Sequence, residues 1–242
     1  TLMLCTYLAV DRVRNFSRPI TYSFVNFDPT TRQFSQGNAN AFDMRIGLLT
    51  PFFLYLSAAA HLIICTVWRD GYIAGINNNI NRARWWEYAI SSSLMIVMIA
   101  ILFGCWDLSS LLGICGCNIS MNLFGLLMEE ANDLSNKEKP VNWTSFWVGC
   151  FAGAIPWVIV MIAFLGAGDY ANVPGFVYGL LVGYFIFFNS FPVNMYLQYA
   201  RISHWKDYRV GEVTYIWLSL LSKSLLAWLV FGGTMQPNGK EE

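Results

Sequence analysis

The chain contains 242 residues, of which 56% are hydrophobic and only 12% are charged, and its formal net charge is zero. A soluble domain usually carries about twice this charged fraction, and a chain without excess positive charge has no electrostatic basis for binding nucleic acid. The composition therefore excludes an ordinary soluble domain and predicts a single multi-pass membrane domain over residues 1–242.

The six cysteines all lie in apolar stretches of the sequence. Cys115 and Cys117 are separated by one residue, a spacing that suits no common zinc motif, and the chain has only two histidines. We therefore expect thiols that pack as small hydrophobic groups, rather than a metal site or a disulfide framework.

The first 45 residues contain a short apolar stretch followed by a polar and aromatic segment. The opening stretch, TLMLCTYLAV, is too short to span a bilayer, so we interpret it as the end of a helix whose start is missing from the given sequence. Within residues 11–45, ITYSFVNF alternates in the manner of a strand, and DPTT is a turn signal. This segment is predicted to form a small β-hairpin that caps one face of the membrane domain.

Six longer apolar segments follow, each long enough to cross a bilayer at about 1.5 Å per residue. They predict helices at residues 46–68, 82–105, 108–130, 144–167, 174–200 and 211–235. RDGYIAGINNNINRAR is interpreted as a polar loop, and Asp107 with two serines as a very tight link between the third and fourth helices. Together with the truncated first segment, the sequence predicts an all-α membrane protein with seven transmembrane helices.

The lysines and arginines fall mainly in alternate loops, which predicts the orientation of the chain in the membrane. The loops after the second, fourth and sixth helices contain Arg69, Arg82, Arg84, Lys137, Lys139, Arg201, Lys206 and Arg209. The loops after the third and fifth helices contain none, whereas the long first loop departs from the pattern with five arginines. We expect the basic loops to be cytoplasmic, which puts the N-terminus inside the cell and the C-terminus and the hairpin outside.

Lys223 lies near the middle of the last predicted helix, in the sequence YIWLSLLSKSLLAW. A lysine at the centre of a membrane helix costs roughly 2.5–3.5 kcal/mol on insertion scales, and this position is too deep to reach either interface easily. The amine can pair with a carboxylate of another helix, or it can form a Schiff base with an aldehyde. Glu87 is the candidate carboxylate, because it is the only acidic residue between Asp70 and Asp107. A purely structural ion pair is the alternative.

The sequence around both residues resembles that of the heliorhodopsins. The similarity is most specific in NMYLQY, YIWLSL and SKSLLAW within residues 185–228, and it includes RWWEYAISSSLM around Glu87. The hairpin after the first helix and the inverted orientation also match that family, so the resemblance covers essentially the whole chain. It implies a seven-helix bundle of rhodopsin type, in which Lys223 holds all-trans retinal covalently as a Schiff base and Glu87 is the counter-ion to its protonated form.

Two polar residues near this pair, Ser219 and Arg84, have two interpretations each. Ser219, one turn before the lysine, replaces a second carboxylate that pumps usually have; its hydroxyl either bonds the Schiff base or bonds back to its own helix. Arg84, one turn before Glu87, either orients the counter-ion or extends to the interface. Ser91 is one turn after Glu87, and Met98 stands where pumps often place a proton donor. With no other acid deep in a helix, we predict a protein that does not pump.

His61 is the one histidine in a predicted transmembrane helix. The resemblance implies a histidine of the second helix in a polar cavity near the Schiff base, where it receives or stores a proton. A neutral histidine bonded to a neighbouring helix is the alternative. Residues 1–14 contain no further histidine, and His204, in a basic loop, is expected to be solvated.

A retinal pocket enclosed by the third to seventh helices would be lined by apolar and aromatic side chains. We predict that its walls include Tyr88, Ser92, Met95, Asn118, Met121, Asn122, Trp157, Phe188 and Phe191. Asn118 and Asn122 are one turn apart in an apolar helix, so bonding between helices explains their amides equally well. Packing of the bundle is an equally good explanation for the aromatic residues.

These observations predict a light-sensing photoreceptor rather than an enzyme. Light would isomerise retinal from all-trans to 13-cis, and a slow, non-pumping photocycle would give a long-lived state that signals to an unidentified partner. The resemblance also implies a homodimer. The alternatives are a light-gated ion or proton channel and a cofactor-free transporter or receptor gated by the Lys223–Glu87 pair. An enzyme with Lys223 as amine nucleophile ranks last, because no second catalytic cluster accompanies it.

Overall fold

The computed structural model describes Met3, Thr6 and residues 17–134, 136, 138–166, 168 and 175–234. The predicted first helix lies largely outside the described residues. The remainder forms two strands and seven α-helices, which in chain order are β1 Ser17–Asp28, β2 Gln33–Arg45, α1 Ile46–Cys65, α2 Arg69–Asn77, α3 Arg82–Leu102, α4 Leu108–Ala131, α5 Thr144–Gly166, α6 Gly175–Tyr199 and α7 Tyr208–Thr234.

Six of the described helices, α1 and α3–α7, are long and apolar enough to cross a membrane. They confirm the predicted second to seventh helices, with ends displaced by at most three residues. The long apolar runs therefore determine these helices almost completely.

The short helix α2 corrects the prediction of a polar loop after the first described span. Its half-buried residues are Tyr72, Gly75 and Ile76, which follow the spacing of one helical face. Among nine residues that include Arg69 and Asp70, this face is too short to stand out from the polar composition. The polar composition of this segment therefore does not reveal that it is a helix.

Side-chain caps define the start of two central helices. The Asn81 side-chain oxygen accepts a hydrogen bond from the Arg84 backbone N–H at 3.1 Å, which begins α3. The Asp107 carboxylate accepts from the backbone N–H of Ser110 at 2.8 Å and from its hydroxyl at 3.0 Å, which begins α4. This cap explains the tight α3–α4 link that the sequence predicts.

The predicted hairpin is confirmed by the antiparallel pairing of β1 with β2. At its turn, Asp28 accepts hydrogen bonds from the Thr30 backbone N–H and the Thr31 hydroxyl, both at 2.8 Å. Arg32 completes the turn with a φ of 52°, in the left-handed region. Local turn chemistry thus sets the position of the bend.

The hairpin is docked on the end of the bundle that contains the α3–α4 link. Ile20 is fully buried in the main apolar core, and the adjacent Thr21 backbone N–H donates to the Trp106 carbonyl at 2.9 Å. A β-bulge between Ile20 and Thr21 allows both contacts to form. The hairpin therefore covers the bundle at the opposite end from the start of α3.

Helix α3 lies at the centre of the described bundle and packs against α1, α4 and α5. Two-thirds of its spanning window is buried (67%), against 22–39% for the other five spans. Arg84 and Glu87 lie on buried sides of α3, where a charged side chain cannot reach solvent. Both must therefore find partners inside the protein.

A buried lysine–glutamate pair beside an apolar cavity

The structure brings Lys223 of α7 and Glu87 of α3 together inside the bundle. The Lys223 Nζ donates to Glu87 Oε1 at 2.6 Å, and the two residues are 6% and 8% exposed. Removing one partner of such a buried pair typically costs about 3–5 kcal/mol, because it leaves an uncompensated charge. The pairing relieves the cost of placing a lysine in the middle of a membrane helix.

Ser57 of α1 completes this ionic group and was missed by the sequence analysis. Its hydroxyl donates to Glu87 Oε1 at 2.5 Å and accepts a hydrogen bond from the Lys223 Nζ at 2.6 Å. The available signal was its position one turn before His61, on the same face of α1. The hydroxyl contact of Lys223 is thus Ser57, whereas Ser219 lies in the cavity wall one turn before the lysine.

His61 is joined to this group through the backbone of α1. Its Nδ1 lies 2.7 Å from the Ser57 carbonyl oxygen, and a carbonyl can only accept, so Nδ1 carries a proton. In the neutral ring, Nε2 is then a free acceptor. The described residues leave the His61 side chain exposed.

A mainly apolar cavity of about 580 Å³ opens beside the pair, between α3, α4, α5, α6 and α7. Lys223 contributes to its wall, and Glu87 lies behind that wall. The predicted site residues that line the cavity are Tyr88, Ser91, Ser92, Met95, Met121, Asn122, Trp157, Phe188, Phe191 and Ser219.

Asn118 departs from the predicted position because it lies behind the cavity wall. Its side-chain amide donates to the hydroxyls of Ser92 at 2.7 Å and Ser93 at 3.0 Å, which ties α4 to α3. Asn122 also donates to Ser92, at 3.1 Å, yet it reaches the cavity. Asn118 therefore bonds one helix to another and does not line the cavity. Asn122 does both.

Two glycines shape the cavity by leaving room for large side chains of neighbouring helices. A Cβ at Gly125 would overlap the Trp85 ring, and a Cβ at Gly153 would overlap the Met121 sulfur. Trp85 and both glycines line the cavity but were missed by the sequence analysis. The only signal was the spacing of Gly149 and Gly153, which is typical of closely packed membrane helices.

Arg84 does not orient Glu87 and does not extend to the interface. It is buried, and its guanidinium donates to the carboxylates of Glu129 and Glu212. Helical side chains lean towards the N-terminus of their helix, so Arg84 points away from Glu87 although one turn separates them. Both interpretations from the sequence are therefore corrected.

Two acidic residues at helix ends are buried, although no acid other than Glu87 lies deep in a predicted membrane helix. Glu129 and Glu212 are 1% and 6% exposed. They belong to the last turn of α4 and the first turns of α7, which the sequence assigns to helix ends near solvent. Burial follows from the convergence of these ends on Arg84, which the sequence does not reveal.

Replacing Ser57 by alanine is expected to destabilise the retinal-free protein by about 1.5–3 kcal/mol, the usual contribution of a hydrogen bond to a charged group. The variant removes a donor to Glu87 without removing either charge. Chemical unfolding followed by circular dichroism measures the change. Ser190→Ala is the matched control, because among the described residues the Ser190 hydroxyl donates to Phe187 of its own helix and to no other helix. Equal effects of the two substitutions would contradict the role of Ser57.

The cavity and its lysine fit a long apolar cofactor that carries an aldehyde. A volume of about 580 Å³ is in the range of small-molecule pockets, and a mainly apolar wall suits a long polyene. The amine in the wall has the chemistry needed to hold an aldehyde covalently, and the adjacent carboxylate compensates a positive charge at that atom. A membrane bundle with this site has the features expected of a retinal protein of the rhodopsin class.

The heliorhodopsin family model matches residues 2–235, and the chain therefore belongs to the heliorhodopsin family. A search of curated proteins found no match to the chain. Membership of the family, together with six described helices that can span a bilayer, identifies a multi-pass membrane protein and a retinal-binding photoreceptor of rhodopsin type.

Proposed function

We propose that Lys223 holds all-trans retinal as a protonated Schiff base, with Glu87 as its counter-ion, in a light sensor that does not pump ions. One observation carries the proposal. Lys223 lines the cavity, and its Nζ lies 2.6 Å from Glu87 Oε1. Retinal bound there supplies absorption of visible light and isomerisation from all-trans to 13-cis.

Three side chains hold the positive charge at Lys223. Glu87 provides the anion, and Ser57 donates to the same carboxylate oxygen that contacts the lysine. The Lys223 Nζ also lies 5.4 Å from the centroid of the Tyr88 ring, close enough for a cation–π attraction. This arrangement supports a cation held between a carboxylate and an aromatic ring, in a place from which water is largely excluded.

His61 is proposed to receive or store the proton that leaves Lys223. Its Nδ1 is committed to the Ser57 carbonyl at 2.7 Å, so Nε2 is the atom that can accept. Ser57 itself contacts both Lys223 and Glu87. The Ser57 carbonyl accepts the Nδ1–H and does not relay a proton, so transfer from the ionic group to Nε2 requires ordered water between them, within one turn of α1.

A mainly apolar core supports the absence of pumping. Beyond the Lys223–Glu87 pair, towards the hairpin, the described part of the bundle is packed with a cluster that includes Met95, Met98, Ile99, Leu226 and Val230. Met98, eleven residues after Glu87, is fully buried. A side chain without an exchangeable proton at this position favours proton transfer that stays on one side of the pair.

A light-gated channel is the second candidate, and photocurrents distinguish it from a sensor. In cells that express the protein with retinal, we expect no light-induced current above that of cells expressing Lys223→Ala. A slow light-induced change in absorption should persist in the same preparation. A current that follows illumination and requires Lys223 would replace the sensor proposal with the channel.

The proposal includes a cytoplasmic N-terminus, a homodimer and an unidentified signalling partner. Exposed aromatic residues such as Trp147 and Phe151 on α5 leave an apolar surface that a second copy can cover. Mass measurement in detergent tests the dimer.

Labelling of a His204→Cys variant with a membrane-impermeant thiol reagent tests the orientation, because His204 lies in the α6–α7 loop, which we propose to be cytoplasmic. Labelling of this cysteine in intact cells would contradict the proposed orientation.

A further inference from the structure

The short connection between α6 and α7, which we call the α6–α7 corner (residues 200–207), has an unusual backbone. Arg201 and Ser203 have positive φ angles, of 54° and 52°, and neither is a glycine. This left-handed conformation is costly for a residue with a side chain. The Ile202 backbone N–H donates to the Leu197 carbonyl at 3.0 Å, which ends α6 in a tight turn. A connection of this kind keeps its shape only while other contacts hold it.

Asn194 of α6 supplies the central contact of the corner. Its side-chain oxygen accepts a hydrogen bond from the Trp205 indole N–H at 2.7 Å. Its side-chain amide donates to the Gly211 carbonyl of α7 at 3.1 Å. Asn194 is buried, so water does not compete freely for either bond. One side chain therefore ties the corner and the start of α7 to α6.

Further bonds attach the corner to its surroundings. The Gln198 side-chain amide donates to the Tyr208 carbonyl at 3.2 Å, across the α6–α7 contact. A Cβ at Gly211 would lie 2.6 Å from the Gln198 amide carbon, so a larger residue there would displace this amide. Arg201 donates to the Asn136 carbonyl of the α4–α5 loop at 2.9 Å. The corner, the two helix ends and the neighbouring loop are therefore joined by side-chain bonds.

The same stretch of α6 forms part of the cavity wall. Phe191 and Met195 are one turn apart and both line the cavity. Asn194 directly precedes Met195, but its side chain bonds Trp205 of the corner. Pro192, inside α6, has no backbone N–H to bond the preceding turn, so the helix bends more easily there. A movement of this part of the wall therefore also moves Asn194.

We propose that the hydrogen bond between Asn194 and Trp205 is a latch, which passes a movement of the cavity wall to the exposed α6–α7 corner. With the bond made, the corner is ordered. When the α6 wall moves, Asn194 separates from Trp205, and the strained backbone of the corner loosens. The inference rests on the proposed function, because it names the segment in which light produces the signal. His204 and Lys206 of this corner are exposed, so its change of order is open to a partner.

Amide hydrogen exchange of the retinal-free full chain, measured by mass spectrometry, tests the latch without light. Trp205→Phe removes the N–H donor to Asn194 and keeps an aromatic ring. We expect the amides of residues 200–207 to exchange about 2- to 12-fold faster than in the wild type, which corresponds to the net contribution of one hydrogen bond. Trp217→Phe is the matched control, since Trp217 is exposed on α7, and it should leave the corner unchanged.

A second measurement uses protein supplied with retinal, in the dark and under continuous illumination. Illumination is expected to accelerate exchange of residues 200–207 in the wild type by a similar factor. In Trp205→Phe it should change the exchange little, because the latch is already open. The visible absorption band of the same samples shows that retinal is bound and responds to light, and Lys223→Ala should show no effect of light on exchange.

Equal exchange of the corner in Trp205→Phe and Trp217→Phe overturns the latch, because the bond then does not hold the corner. Equal exchange in light and dark, in a coloured wild type that responds to light, also overturns it, and the proposed function then stands without the latch. A folded wild type that stays colourless overturns both. If Trp205→Phe does not fold, the comparison of light and dark in the wild type decides the question.

Discussion

Replacing Lys223 by alanine is expected to abolish the visible absorption band of the protein supplied with all-trans retinal. Lys223 is the only lysine in the cavity wall among the described residues, so no other amine there can hold the aldehyde. The loss should be complete rather than partial, because covalent attachment needs a primary amine. Absorption spectra of the two purified proteins, compared at equal concentration and after confirming their helical content, measure the effect.

Two further variants separate attachment from the ion pair. Lys223→Arg keeps a cation opposite Glu87 but cannot form the linkage, and we expect a folded, colourless protein. Lys206→Ala, which removes an exposed lysine outside the bundle, should keep its colour. If the wild type itself stays colourless while folded, the retinal proposal is wrong for this chain, and Lys223–Glu87 becomes a structural or transport ion pair. A coloured Lys223→Ala protein would place the attachment elsewhere.

Replacing Glu87 by glutamine is expected to remove most of the visible band at neutral pH and to leave absorption in the near ultraviolet. The protonated linkage at Lys223 loses its anion, and Ser57 supplies a dipole but no charge. The positive form should then persist only at lower pH than in the wild type, so acidification should restore the colour. A titration of the visible band in both proteins measures the displacement.

The retinal-free Glu87→Gln protein should also be less stable, by about 3–5 kcal/mol, because the Lys223 ammonium stays buried without its partner. Combining it with Lys223→Met should recover part of this loss, since the double variant buries no charge. Glu130→Gln, which removes an exposed carboxylate, is the control for both measurements. A titration of Glu87→Gln identical to that of the wild type would show that another group acts as the counter-ion.

Much of this site follows from the sequence because membrane insertion penalises single residues. A lysine in a long apolar helix must be paired or chemically modified, and Glu87 was the only acid of the predicted helices that could meet it. The hairpin was predictable for a different reason, since Asp28 and the residues after it direct a turn locally. The pairing of the lysine follows from the membrane environment alone, and the turn follows from residues that are close in the sequence.

Contacts between distant helices were not predictable in this way. Ser57 is one of several hydroxyl residues in apolar helices, and only the rotation of α1 about its axis turns it towards Glu87. Asn118 and Asn122 have the same sequence environment, yet a small difference in direction places one behind the cavity wall and the other in it.

By itself, the sequence determined the six described spans, the hairpin, and the pairing of Lys223 with Glu87, because hydropathy and buried charge act residue by residue. Only the tertiary structure decided that Arg84 turns away from Glu87 and meets Glu129 and Glu212, which are 45 and 128 residues distant along the chain. The physical reason is that a helix end is solvated or buried according to what packs against it. The sequence of that end carries no record of this packing.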